Sequence, residues 1–151
     1  MKAYLDTNIL IDAIIPDRPG NYDAITILEM ARLKQLDLFI STQSILDAAY
    51  ITNHSYHIDG ASYRKAINRI LKFVDLRSIG SGDLLNALKS PGLDLEDNAQ
   101  AALAGTTFCH IIISNDNDFF LDSDYQPITV MSSKVFVDTC KRLESAEPQM
   151  G

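Results

Sequence analysis

Two aspartates stand just after short apolar segments, where buried strands are expected to end. Asp6 follows the first such segment, and Asp116 follows the run Ile111–Ile113 closely. Asp47 and Asp97 lie on segments whose pattern predicts helices. Three or four carboxylates around a small cavity provide the oxygen ligands that Mg²⁺ and Mn²⁺ prefer. Because such ions hold a phosphodiester and activate water, the four acids predict a metal-dependent site for phosphodiester hydrolysis.

The acidic residues of the chain are mostly of one kind. Of the 20 acids among 151 residues, 16 are aspartates. Solvated helix faces favour glutamate, since aspartate has the poorer helix propensity, so this excess indicates short carboxylates placed at caps, turns and sites. The formal net charge of −7 argues against attraction of nucleic acid by bulk charge. It is compatible with a nucleic-acid enzyme whose clustered acids bind metal.

The elements that must position these acids follow from length and hydrophobic patterning. The chain has the size of one globular domain, and its short apolar segments alternate with helical patterns. This alternation predicts a parallel sheet covered by helices on both faces. The strands are predicted at Ala3–Leu5, Leu38–Ile40, Phe73–Leu76, Ile111–Ile113 and Ile128–Met131. The helices are predicted at Asn8–Ile15, Asp23–Lys34, Gln43–Ile51, Asp59–Lys72, Ser81–Lys89, Leu95–Ala104 and Ser133–Leu143.

In a sheet of this kind, functional groups gather beyond the carboxyl ends of the strands. We predict that the strand ending before Asp6 is central and lies beside Ile111–Ile113. The carboxylates of Asp6, Asp97 and Asp116 are then expected within a few ångströms of a common point. Asp47 is expected to reach that point directly or through water.

Each acid also has an ordinary structural explanation. Asp6 and Asp116 suit turns at strand ends, and Asp97 suits the first turn of a helix that Asp94 caps. Asp47 is the hardest to explain in this way, because its predicted helix is apolar nearly all round and an unpaired buried charge is costly. A hidden salt bridge is the alternative to a cation at that residue.

Four segments of the chain resemble, in order, the acidic motifs of the PIN domain. They are Ala3–Asp12, Ser41–Asp47, Leu95–Ala104 and Ile111–Phe119. The resemblance implies a PIN-like, Rossmann-like three-layer α/β/α domain over residues 1–145, with a central parallel sheet of four to five strands and a short tail at 146–151. It further implies that the metal-site acids are Asp6, Asp47, Asp97 and Asp116. The implied supporting residues are Asn8, Ser114, Asp118 and Asp94.

In its length and its expected lack of extra domains, the chain resembles the toxin ribonucleases of VapBC toxin–antitoxin systems. That likeness implies a Mg²⁺- or Mn²⁺-dependent endoribonuclease, an RNA substrate, a homodimer and a small antitoxin in an apolar groove. One residue departs from the family, because the second acid is usually Glu and here is Asp47, one methylene shorter.

The helix predicted at Asp59–Lys72 carries a basic face opposite its apolar one. Contact with RNA phosphates is one interpretation of this face, and ordinary solvation is the other. The RNA-binding candidates are Arg64, Lys65, Arg69 and Lys72.

Other functions fit the sequence less well. A phosphoacceptor receiver needs paired acids after the first strand, and an aspartyl phosphatase needs an acid at the position of Asn8. A PIN module that acts in RNA processing outside toxin–antitoxin systems, or as a catalytically silent scaffold, stays open as an alternative function.

Cys109 and Cys140 fall in apolar patterns and are expected to fill the core of a cytoplasmic protein. His54 and His57 are only a weak hint of zinc.

Overall fold

The structure is a computed structural model that describes residues 1–90, 94–117 and 128–146. At its centre lies a five-stranded sheet in the order β3-β2-β1-β4-β5, and every pairing in it is parallel. The chain order reverses between β1 and β4, which is the switch point where ligands bind in open α/β sheets. The strands are β1 (Lys2–Leu5), β2 (Asp37–Ser41), β3 (Val74–Arg77), β4 (Ile111–Ile113) and β5 (Thr129–Met131).

Helices connect the strands of this sheet. Their starts follow the capping rules, since Asp6, Ser41, Asp59 and Asp94 each cap a helix by accepting a hydrogen bond from a backbone N–H. Within the described ranges the helices are α1 (Thr7–Ile14), α2 (Asn21–Arg32), α3 (Thr42–Tyr56), α4 (Gly60–Ile70), α5 (Ser81–Lys89), α6 (Leu95–Thr106) and α7 (Ser133–Ala146).

The predicted architecture is confirmed, including the adjacency on which the site depends. Tyr4 pairs with Ile112 and Leu5 with Ile113, and the backbone N–H of Asp6 donates to the Ile113 carbonyl at 3.0 Å. Every predicted strand and helix is present, with ends that differ by a few residues. The largest difference is α3, which continues to Tyr56.

The central strand β1 is buried on both faces. Ala3 and Leu5 pack into one apolar cluster with α1, α2 and α7, whereas Tyr4 packs into a second cluster with α6. Full burial of a side chain such as Leu5 stabilises the fold by about 1.5–3 kcal/mol relative to exposure. The end of β1, and therefore the position of Asp6, is fixed by packing from both sides.

No helix among the described residues is long and apolar enough to cross a membrane. Cys109 is buried and Cys140 is half-buried, and both carry free thiols. The C-terminal tail was predicted at residues 146–151. Residue 146 is instead the last residue of α7, and residues 147–151 lie outside the described residues.

Candidate active site at the carboxyl edge of the sheet

A cleft of about 440 Å³ lies at the carboxyl edge of the sheet, beside the ends of β1 and β4. Within the described part of the chain, six of the twelve residues that line it are acidic, and none is Lys, Arg or His. The acids come from the end of β1, from α3, from the start of α6 and from the segment after β4. The lining residues are Asp6, Thr7, Asn8, Ile11, Asp47, Tyr50, Ile51, Asp94, Glu96, Asp97, Gln100 and Asp116.

Asp6 is held at the floor of the cleft by uncharged donors. The residue is only 5% exposed, and its carboxylate accepts hydrogen bonds from the Thr7 backbone N–H and the Ser114 hydroxyl, both at 2.7 Å. The Asn8 amide donates a longer bond of 3.3 Å to the same group. The two predicted supporting residues, Asn8 and Ser114, are therefore direct partners of Asp6.

Asp116 follows β4 in a segment that several hydrogen bonds hold in place. Its backbone N–H donates to the Ser114 hydroxyl at 3.1 Å. The backbone N–H of the preceding residue, Asn115, donates to the side-chain oxygen of Asn8 at 3.2 Å. Ser114 therefore links the Asp6 carboxylate to the backbone of Asp116. This link fixes the two strand-end acids relative to each other.

The amino end of α6 brings three further acids to the cleft. Asp94 accepts from the Asp97 backbone N–H at 3.0 Å, as the predicted cap requires. Asp97 is 6% exposed, while Asp94 and Glu96 are exposed at the rim. Sequence reasoning gave Glu96 no role, although its place beside Asp97 in the first helical turn was a usable signal. Gln100, one turn further along, was also missed.

Asp47 lies in the cleft, but the reason given for it from the sequence is wrong. The surrounding helix α3 is not buried all round, since Leu46 and Tyr50 are 66% and 64% exposed. Asp47 itself is half-buried, and it accepts a hydrogen bond from the Gln43 amide at 2.8 Å. No buried salt bridge or cation is therefore needed to explain this acid.

Burial and crowding of like charge disturb the protonation of the cleft acids. Desolvation, reinforced by Asp94, Asp6 and Asp116, raises the pKa of Asp97 to about 7. Burial also raises the pKa of Asp6, although the hydrogen bonds from Ser114 and Thr7 partly oppose that rise. The pKa of Glu96 is raised by burial and then by the neighbouring Asp47 carboxylate.

The donor set suits a hard cation, but it does not form a closed cage. Among the described residues, no three acid, His or Cys side chains converge on one point as metal ligands. Asp6, Asp47, Asp97 and Asp116 line one cleft, and their approach to a single common point stays a prediction. Mg²⁺ usually binds through one or two carboxylates and keeps several waters, so an open arrangement of carboxylates fits it.

A buried polar network behind the cleft was missed from the sequence. Asp12 is 4% exposed and accepts from Arg18 at 2.5 Å and from the Asn115 amide at 3.0 Å. The same Asn115 side chain exchanges hydrogen bonds with Ser133 at the start of α7. A Cβ at Gly20 would lie 2.3 Å from the Asp12 carboxylate, so only glycine fits there. A lone acid in the apolar helix α1 was the available signal.

The basic candidates on α4 do not join the cleft. Arg69 and Lys72 line a separate groove with Asp37, the first residue of β2, at the amino edge of the sheet. Arg64 and Lys65 are exposed on the same helix and do not line the cleft. Asp118, the remaining supporting candidate, lies outside the described residues.

The other sequence candidate for metal, the pair His54 and His57, has local structural contacts. The His54 ring stacks on Tyr50, and a ring nitrogen lies 3.0 Å from the Tyr50 carbonyl oxygen. His57 ends α3 in the left-handed conformation, with φ of 57°. Neither histidine lines the acidic cleft.

A parallel sheet with an acidic cleft at its switch point defines a Rossmann-like α/β protein with a negatively charged site. A family model described as PIN domain matches residues 2–118 of this chain. The chain belongs to the PIN domain family.

Several known proteins are similar to this chain. Ribonuclease VapC1 of Aquifex aeolicus is 23% identical over 124 residues, which cover 79% of this chain and 84% of that protein. The structure of VapC20 from Mycobacterium tuberculosis, a sarcin–ricin loop cleaving toxin, matches with a TM-score of 0.63 at 12% identity, over 80% of this chain and 95% of that one. A toxin–antitoxin complex from Klebsiella pneumoniae matches with a TM-score of 0.61 at 19% identity, over 87% and 97%. At these identities the structural matches establish the fold.

Proposed function

We propose that this chain is an endoribonuclease that depends on Mg²⁺ or Mn²⁺ and acts as the toxin of a type II toxin–antitoxin system. The observation that carries the proposal is the cleft itself, where six carboxylates meet without a cationic side chain among its lining residues. Ribonuclease VapC1 supplies the substrate class, because its name assigns it to RNA cleavage.

The metal-site acids of the proposal are Asp6, Asp47, Asp97 and Asp116. Like charges gathered in one cleft, with Asp97 largely buried, cost free energy, as the raised pKa of Asp97 indicates. A divalent cation offsets the repulsion between the carboxylates, which favours its binding in the cleft. When bound, it supplies a Lewis acid for the phosphate oxygens and lowers the pKa of water.

The protein's own contribution is to orient the acids before substrate arrives. Ser114 and Thr7 hold the Asp6 carboxylate through 2.7 Å hydrogen bonds, so its lone pairs point in fixed directions. Ser114 also holds the backbone of Asp116. Asp97 is buried beside them, and its backbone N–H donates to the Asp94 carboxylate at 3.0 Å, so this residue is also placed before substrate arrives.

The proposed partners are a cognate antitoxin and a second copy of this chain. Support for the antitoxin comes from similar structures that are toxin–antitoxin complexes, including VapBC2 of Rickettsia felis bound to promoter DNA, with a TM-score of 0.60 at 17% identity over 87% of this chain and 100% of that one. The homodimer rests on the family resemblance. Co-expression with the product of each adjoining gene, followed by co-purification, tests the antitoxin.

The nuclease proposal is tested by comparing wild type with Asp6→Asn. We expect Mn²⁺ to raise the melting temperature of wild type, since a ligand that binds only the folded state stabilises it. Asp6→Asn is expected to lose cleavage of a structured RNA and most of the Mn²⁺ effect, while the metal-free protein melts at the same temperature or higher. Cleavage by the variant, or equal stabilisation of both proteins by Mn²⁺, would show that the site is misplaced.

Asp37→Asn is the matched control for this comparison. Asp37 is an exposed aspartate at the opposite edge of the sheet, and it does not line the cleft. Its variant should keep both cleavage and the full Mn²⁺ effect.

A further inference from the structure

An acidic cleft has difficulty holding a polyanion by charge. The residues that line it include no Lys, Arg or His, and the chain as a whole carries a net charge of −7. If the substrate is RNA, as the proposed function holds, a bound cation bridges only the phosphate near the acids. The flanking nucleotides therefore need a contact that does not depend on positive charge.

Among the described residues that line the cleft, Tyr50 is the one with an aromatic ring, and it is largely exposed. It follows Asp47 by three residues on α3, so the two side chains are neighbours on one helix face. The residue is 64% exposed, so one face of its ring is open to a ligand. Its place on the helix puts this ring beside a proposed metal-site acid in the same cleft.

His54 supports the Tyr50 ring from one side. The two rings stack with centroids 3.9 Å apart and planes 24° apart. A ring nitrogen of His54 lies 3.0 Å from the Tyr50 carbonyl oxygen, so the backbone of α3 holds the imidazole in place. A ring that is supported in this way loses little further conformational entropy when a base stacks on it.

We infer that Tyr50, supported by His54, is a stacking platform for one unpaired base of an RNA bound in the acidic cleft. Stacking is tolerant of sequence and independent of phosphate charge, because every base presents a π-face. It therefore supplies affinity where the lining of this cleft offers no cation.

A protein partner is the competing occupant for an exposed aromatic ring. Tyr50 lines the same cleft as Asp47, so an antitoxin that covered the ring would cover the acids as well. We assign the ring to a base because it lies beside the acids that are proposed to act on RNA. A protein contact is the alternative outcome that the test separates.

The test compares two RNA probes of equal charge, octauridine and an octamer of abasic ribose phosphates. Binding is measured by fluorescence anisotropy with Ca²⁺ in place of Mg²⁺, so that the four proposed metal-site acids stay intact, and a gel run after each titration checks that the probes are uncut. Tyr50→Ala should weaken octauridine binding by about 5- to 100-fold, the range found when aromatic rings that stack on bases are removed. It should leave binding of the abasic octamer unchanged, and Tyr50→Phe should bind octauridine as the parent does.

Tyr22→Ala is the matched control. Tyr22 is a tyrosine of similar exposure, 69%, on α2 and away from the cleft, so its variant should bind both probes as the parent does. The loss caused by Tyr50→Ala should also be the same factor at low and high salt, unlike a lost phosphate contact.

The outcomes separate this inference from the proposed function. Equal binding of octauridine by parent and Tyr50→Ala refutes the platform, even when wild type cuts RNA. A Tyr50-dependent preference for octauridine supports the platform, even when wild type cuts nothing and the nuclease proposal fails. A change of oligomeric state in Tyr50→Ala with unchanged RNA binding would assign the ring to a protein contact and overturn the inference.

Discussion

Replacing Asp97 by Asn should stabilise the metal-free protein, and the gain should depend on pH. Asp97 is 6% exposed, and burial among other acids raises its pKa from 3.8 to about 7. A shift of about three pKa units corresponds to roughly 4 kcal/mol at 1.36 kcal/mol per unit. Because the cleft is open to water, which screens the charges, we expect about 1–2 kcal/mol of that cost in practice. For a chain of this length the gain is about 2–8 °C in melting temperature.

The sign follows from proton linkage. Asp97 binds its proton more tightly in the folded state than in the unfolded state, so the folded protein loses stability as pH rises from about 4 to 7. At pH 8 the ionised carboxylate carries its full cost, which Asn avoids. At pH 4.5 the folded wild type is already protonated at this residue, so most of the advantage of Asp97→Asn should disappear.

Thermal melts in EDTA at pH 8 and pH 4.5 measure this difference. Asp23→Asn is the control, because Asp23 also lies in the first turn of a helix but is outside the cleft. That variant should gain nothing at pH 8, since it loses a favourable interaction with the helix dipole. An Asp97→Asn variant that is less stable than wild type at pH 8, or equally stabilised at both pH values, would refute the electrostatic reasoning.

Three other substitutions test separate parts of the structure. Asn115→Ala removes the hydrogen bonds to Asp12 and to α7 and should lower the free energy of unfolding in urea by about 1–3 kcal/mol. RNA cleavage by this variant should fall by a larger fraction than the amount of folded protein. Gly20→Ala places a Cβ against the Asp12 carboxylate and should cost a similar amount, whereas Gly60→Ala, at a site with open space, should not. Arg64→Glu combined with Arg69→Glu should weaken RNA binding and flatten its salt dependence if α4 contacts phosphates; unchanged affinity across a salt titration would assign that face to solvation.

The fold was predictable because its determinants are local. Strands such as β1 are continuous apolar segments, and helix starts such as that of α6 carry a capping acid, Asp94. The helix α3 shows where local patterns fail, since the prediction stopped at Ile51 while the helix continues to Tyr56. Its last turns are exposed and carry polar residues such as Asn53, so no apolar periodicity marks them.

The acids of the site were predictable only through topology. Asp6 and Asp116 are far apart in the chain, yet parallel strands must place their carboxyl ends at one edge once β1 and β4 are neighbours. Asp47 lines the cleft, although the prediction that its helix is buried nearly all round was wrong. Burial on a helix depends on what packs against it, and the sequence of α3 alone does not contain that information.

Hydrogen bonds and ion pairs between polar residues far apart in the chain could not be predicted from the sequence. One of these pairings involves a residue next to the site acid Asp116. Asn115 and Asp12 are 103 residues apart, and either residue read alone suits an ordinary turn or helix face. In the fold, Arg18 pairs with Asp12 behind the cleft instead of with an acid inside it. The acids of the cleft are instead held by hydroxyl, amide and backbone donors, which orient carboxylates without neutralising them. The negative charge that a bound cation would offset is thus preserved by the way the chain places its own polar groups.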